Sequence, residues 1–122
     1  SQVGDGTTEL RSSPTALPDL SGVATLALGG MHSCAVGSSG AVHCWGRKNE
    51  GQTGQLSALP TTPVPTLVAG LPAIESLAAG ASNTCALSES GDVLCWGHYQ
   101  LMLEPPWPIP AYTSVPTAVS GL

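Results

Sequence analysis

Phenylalanine is missing from this 122-residue chain, and basic residues are nearly so: Arg11, Arg47 and Lys48 are the only three. Binding to phosphate requires clustered Lys and Arg, so a formal net charge of -5 argues against nucleic acid or an anionic membrane surface as partner. Charged residues amount to 9%, against about 25% in an average soluble domain. There is no run of 18 apolar residues, which excludes a membrane-spanning helix. The opening Ser1–Thr8 is Gly/Thr/Asp-rich rather than basic-then-apolar, so it does not read as a secretory leader. Apolar residues hardly ever recur at helical spacing, which argues against a helical enzyme domain. What is abundant is glycine and proline, 15 and 11 residues, together with four cysteines and a hydrophobic share of 42%.

These residues are ordered by a repeat. At an offset of 51 residues the chain falls onto itself without a gap. Leu26 meets Leu77, Ala27 meets Ala78, Gly29 meets Gly80, Cys34 meets Cys85, and Cys44-Trp45-Gly46 meets Cys95-Trp96-Gly97. Pro14, Pro65 and Pro116 mark one position three times over. Residues 21–71 and 72–122 are therefore two whole repeats. Residues 1–20 match the end of a further one, with Gln2 and Gly4 resembling Gln52 and Gly54.

Inside a repeat the pattern is strands and turns. Val23–Leu28, His32–Val36 and Ala41–Trp45 are short apolar runs bounded by glycine. Ser38-Ser39-Gly40 reads as a three-residue hairpin turn with glycine in the left-handed position, and Glu89-Ser90-Gly91 as its copy. Thr66–Val68 is expected to be a fourth, outer strand, since the nearby prolines suit a sheet edge. Four short strands per repeat of this length read as one blade of an all-β propeller; a β-solenoid is the other architecture, although its repeats are shorter.

The string GGMHSCAVGSSGAVHCWGRKNEGQTGQ and its copy AGASNTCALSESGDVLCWG resemble the repeat of the regulator-of-chromosome-condensation family. SQVGDGTTELRSSPTALPDL resembles the close of a preceding blade in that family. The resemblance implies four antiparallel strands per blade, with blades usually closing into a ring of about seven. On this reading Gly29 and Gly80 permit close backbone approach near the ring axis. Trp45 and Trp96, each followed by glycine (Gly46 and Gly97), supply large apolar plates between blades, with an indole N–H that needs an acceptor. Gly51 and Gly54 shape a tight turn in which the Gln52 amide satisfies backbone groups.

Cys34 and Cys44 are equidistant from Ser39, and Cys85 and Cys95 from Ser90. A three-residue turn makes each pair face one another across a hairpin, within disulfide reach. Two bonds, Cys34–Cys44 and Cys85–Cys95, are expected, each contributing about 3 kcal/mol in the chain-entropy model. Small buried thiols are the alternative reading. Zinc is disfavoured because no short Cys-x-x-Cys spacing exists.

Chemistry is otherwise sparse. His32 has Asn83 as its repeat mate, His43 has Leu94, and no nucleophile, base or carboxylate pair recurs with them. Asp5-Gly6-Thr7-Thr8 lacks the alternating acids of a calcium loop. No catalytic residue, metal or cofactor is expected. The largest departure between repeats is residues 98–112, where the glycine-rich turn gives way to a Pro/Trp-rich stretch containing Leu101, Met102, Trp107, Ile109 and Tyr112. A segment stiffened by proline loses little entropy on binding, and Trp and Met are favoured contact residues, which makes it a candidate protein-binding loop, or a contact against a neighbouring blade.

Two blades and a remainder do not close a ring. The expected function is a non-catalytic protein-interaction or structural module, a segment of a secreted or surface propeller whose partner is protein: other blades or copies of itself. The alternative is a propeller-type inhibitor of a secreted enzyme. The family's nuclear role, nucleotide exchange on a small GTPase, fits less well with the acidity and with disulfides, which belong to exported proteins.

Overall fold

Short runs of small and β-branched residues, punctuated by glycine, form eight strands in a computed structural model that describes residues 2–17, 20–55, 58–98 and 112–121. The strands are β1 (Val23–Leu28), β2 (His32–Gly37), β3 (Val42–Arg47) and β4 (Thr61–Leu67), then β5 (Ile74–Ala79), β6 (Asn83–Ser88), β7 (Val93–His98) and β8 (Tyr112–Ala118). They make two four-stranded antiparallel meanders, β1-β2-β3-β4 and β5-β6-β7-β8. This is an all-β arrangement of two blades.

The turns work as the glycine spacing predicts. Gly40 takes φ +81° and its N–H donates to the Gly37 carbonyl at 3.0 Å, while Gly91 takes φ +94° and donates to Ser88 at 3.0 Å. Both hairpins keep the same register, with Cys34 opposite Cys44 and Cys85 opposite Cys95.

Two elements differ from the sequence expectation. The outer strand begins at Thr61 rather than Thr66 and stops before Val68. It runs through Pro63 and Pro65 because it pairs with β3 alone, so the missing proline donors fall where no partner strand is needed. The third strand also does not end at Gly46. It passes through that residue at φ +102° with a bulge between Cys44 and Gly46, repeated between Cys95 and Gly97.

The two sheets meet through a shared core. Cys34, Val36, Val42 and Cys44 from the first sheet pack with Ile74, Ala86 and Trp96 from the second, joined by Val68 and flanked by Leu71 and Leu77. The inner strands come closest at the glycines. The Gly30 N–H reaches the Gly80 and Ala81 carbonyls at 3.3 and 3.2 Å, and a Cβ on Gly29 would stand 2.6 Å from the Gly80 oxygen.

Candidate functional site: the blade seam and the two open faces

Side chains alternate across each strand, so every blade has two faces. In the first blade one face carries Cys34, Val36, Val42 and Cys44; the opposite face carries Leu26, Leu28, Ser33 and Trp45. The second blade repeats this with Cys85, Leu87, Val93 and Cys95 on one face and Leu77, Thr84, Ala86 and Trp96 on the other. The seam joins the cysteine face of the first blade to the tryptophan face of the second.

A hydrogen-bonded clasp fixes that seam. Trp96 is 1% exposed, and its Nε1–H donates to the backbone carbonyl of Gln52 at 3.0 Å. The same oxygen accepts from the Thr84 hydroxyl at 2.8 Å. Because that hydroxyl proton is used, His32 Nε2, 2.8 Å from the Thr84 oxygen, carries a proton and donates. The chain of donors therefore runs from His32 through Thr84 to Gln52, and leaves His32 Nδ1 buried without a partner. Burial holds the imidazole below its ordinary pKa, and the Asn83 backbone opposes this only in part.

Glycine gives the clasp its fit. A Cβ on Gly54 would lie 2.7 Å from a Val68 methyl and 3.1 Å from Trp96 Nε1. The Gln52 side chain is more modest than the sequence suggests: its Oε1 accepts from the Glu50 N–H at 2.9 Å, its Nε2 is unpaired, and its backbone oxygen makes the seam contact. Gln55 links Cys44 and Thr66 across the bulge, donating to both carbonyls at 3.1 and 3.0 Å. Gly29 and Gly80 leave room for side chains as well as backbone: a Cβ would overlap His32 in the first blade and Asn83 in the second.

The amino-terminal segment makes a second clasp. Residues 2–17 form no strand, yet the Trp45 indole donates to the Gln2 carbonyl at 2.8 Å and Ser33 donates to the same oxygen at 3.3 Å. Gly4 lies under Trp45 as Gly54 lies under Trp96, and the Gly6 N–H donates to Pro63 at 3.0 Å. Arg11 and Thr7 hold the Asp5 carboxylate, lowering its pKa to about 2.

Both cysteine pairs are disulfides, with paired Cα atoms 4.1 Å apart. Cys34 and Cys44 are 0% exposed beneath the second blade, while Cys85 and Cys95 remain partly exposed. The latter pair lines a groove of about 460 Å³ together with Asn83, Thr113, Thr117 and Val119. On the opposite end of the molecule Leu26 is 56% exposed, although its repeat mate Leu77 packs on the seam. Among the described residues, a complementary half of the seam is therefore uncovered at each end.

Of the Pro/Trp-rich stretch, Leu101, Met102, Trp107 and Ile109 lie outside the described residues; Tyr112 begins β8, paired with His98. Sequence reasoning missed Thr84 and Ser33, which share the Trp acceptors. A hydroxyl at both repeat mates was the available signal.

This geometry can be set beside known proteins. The model of the regulator of chromosome condensation (RCC1) repeat matches residues 23–52 and 74–98. The chain is made of repeats of the regulator of chromosome condensation family. The mouse regulator of chromosome condensation is 34% identical over 101 residues, covering 81% of this chain and 24% of that protein. Prp20p from Saccharomyces cerevisiae, whose structure was described with its binding to Gsp1p and histones, superposes with a TM-score of 0.73 at 26% identity, covering 87% of this chain and 27% of its own. Human WBSCR16, at 24% identity, shares the fold with a TM-score of 0.77 over 97% of this chain and 31% of its own. The chain thus spans about a quarter to a third of these relatives, and its two sheets are propeller blades.

Proposed function

We propose that this chain is a non-catalytic interaction and structural module, a pair of blades that joins other blades or other copies of itself through its two open faces. Residues 21–71 and 72–122 act as the blades, and residues 1–20 as the close of a preceding one. The observation that carries this reading is the asymmetry between repeat mates: Leu77 is packed where Leu26 is 56% exposed. A face that is buried once in the same chain is built to be buried again, and the cysteine face of a second blade is its counterpart. Such head-to-tail contacts close into rings or extend into filaments. The two disulfides favour a secreted or surface location, where they form and persist.

Native mass spectrometry over a range of concentrations tests the self-assembling form. Species larger than the 12.2 kDa chain are expected, and Leu26→Arg should return the protein to monomer without unfolding it. A monomer at every concentration excludes assembly between copies.

A further inference from the structure

The bulge between the third and fourth strands of a blade is built twice and completed once. It lies between Cys44 and Gly46 in the first blade and between Cys95 and Gly97 in the second, with those glycines at φ +102° and +98°. The Gln55 carboxamide occupies the first bulge with all of its polar atoms. Its Nε2 donates to the Cys44 and Thr66 carbonyls at 3.1 and 3.0 Å, and its Oε1 accepts from the Thr62 hydroxyl at 3.0 Å. At the offset of 51 residues those partners become Cys95, Thr117 and Thr113, while the mate of Gln55 is Pro106, which has no polar side-chain atom. Among the described residues no side chain donates to the Cys95 or Thr117 carbonyl, and the Thr113 hydroxyl turns to the Val115 carbonyl at 3.2 Å. Cys95, Thr113 and Thr117 line one groove. The second blade thus keeps the partners of a carboxamide that its own repeat position does not carry.

We propose that the bulge between β7 and β8 is a binding notch for a glutamine side chain, carried by the protein segment that docks on the cysteine face of the second blade. The source of the glutamine rests on the docking proposed above; the geometry rests on the first blade alone. A primary carboxamide has two N–H donors and one acceptor oxygen on a rigid plane, which matches two carbonyls and one hydroxyl. A carboxylate of the same shape offers no donor and sets its negative oxygens against the carbonyls. An apolar side chain withdraws water from all of these groups and pairs none of them, which costs free energy for every polar group left buried. The notch therefore selects its occupant by penalising the wrong side chain as well as by holding the right one. It owes this character to Pro106 in the place of a glutamine, inside the repeat, and not to what precedes or follows the two blades.

The experiment titrates the native full chain with the capped peptide Thr-Gly-Gln-Leu, which is the sequence around Gln55, and with the same peptide carrying Glu or Met in place of Gln. Binding is followed by NMR at the backbone amides of Cys95, Thr113 and Thr117. The Gln peptide is expected to shift these amides saturably and to bind at least about threefold more tightly than the other two. Thr113→Val should weaken it by a similar factor, whereas Thr62→Val, the same change in the first blade, should leave the affinity unchanged because Gln55 holds that bulge. Thr113→Ser keeps the hydroxyl and should bind as the original chain does, which separates loss of the hydroxyl from disturbance of β8. No shift at these residues, equal affinity for all of the peptides, or an equal effect of Thr62→Val overturns the proposal. The readout needs no assembly: a chain that stays monomeric yet selects the Gln peptide keeps the notch and loses only the docking between copies.

Discussion

His32 shows how one side chain joins two blades. It fills the space that Gly29 leaves, and its Nε2 donates across the seam to Thr84, with Nδ1 left without an acceptor. Burial disfavours the charged imidazolium more than the Asn83 backbone favours it, which is why the folded chain holds the pKa below that of the unfolded chain, about 6.5. Between those two values the unfolded state binds more protons, so stability rises with pH there. The His32 contribution is complete above about pH 6.5 and declines as the pH falls from that value toward the folded pKa. Urea unfolding at pH 7.5 and pH 5 should record the loss. His32→Asn, which copies Asn83 of the second blade, should shrink the difference between the two pH values. An undiminished difference would assign the effect to other groups. His32 and Asn83 look unrelated as chemistry; the repeat alignment made them equivalent, and only the packing showed that one of them reaches the next blade.

Among the strands, glycine has two separate roles that a sequence presents as one. Gly91 sits at φ +94° with nothing within 4 Å of where a Cβ would be, so its role is conformational. Gly46, at φ +102°, would put a Cβ 2.7 Å from the Met31 carbonyl and 2.8 Å from the His32 Cα. Gly91→Ala should therefore cost about 1–2 kcal/mol, the penalty of a left-handed alanine. Gly46→Ala adds a backbone collision and should cost more, by about 1 kcal/mol or above. Thermal melts of both variants decide the order, and equal losses would show that the bulge relaxes around the methyl. The hairpins and the register of the cysteines were legible because turn length and alternation are local. The bulge and the full outer strand were not, because they depend on β3 being paired on both sides and β4 on one.

In the whole molecule, identical residues have unequal value according to where the blades meet. Leu77 packs against the seam, so Leu77→Ala should lower stability by about 2 kcal/mol. Leu26→Ala, the same change at the repeat mate, should stay within about 0.5 kcal/mol in the isolated chain, because its side chain already faces solvent. Chemical denaturation of the two variants in dilute solution measures the contrast. Similar losses would mean that Leu26 is covered in solution, and that the face taken as open is occupied.

Blade count, strand order, hairpin turns and cysteine partners are written into the chain itself, because each rests on spacing within one repeat of 51 residues. Which copy of a repeated residue becomes buried is not, because mates such as Leu26 and Leu77 are the same residue and differ in what lies beside them. Only the stacking of one sheet on the other closes Cys34–Cys44 and leaves Cys85–Cys95 at a groove. The same stacking turns the Gln52 carbonyl into the acceptor that Trp96 needs. Burial is a property of neighbours, and the neighbours are chosen in three dimensions.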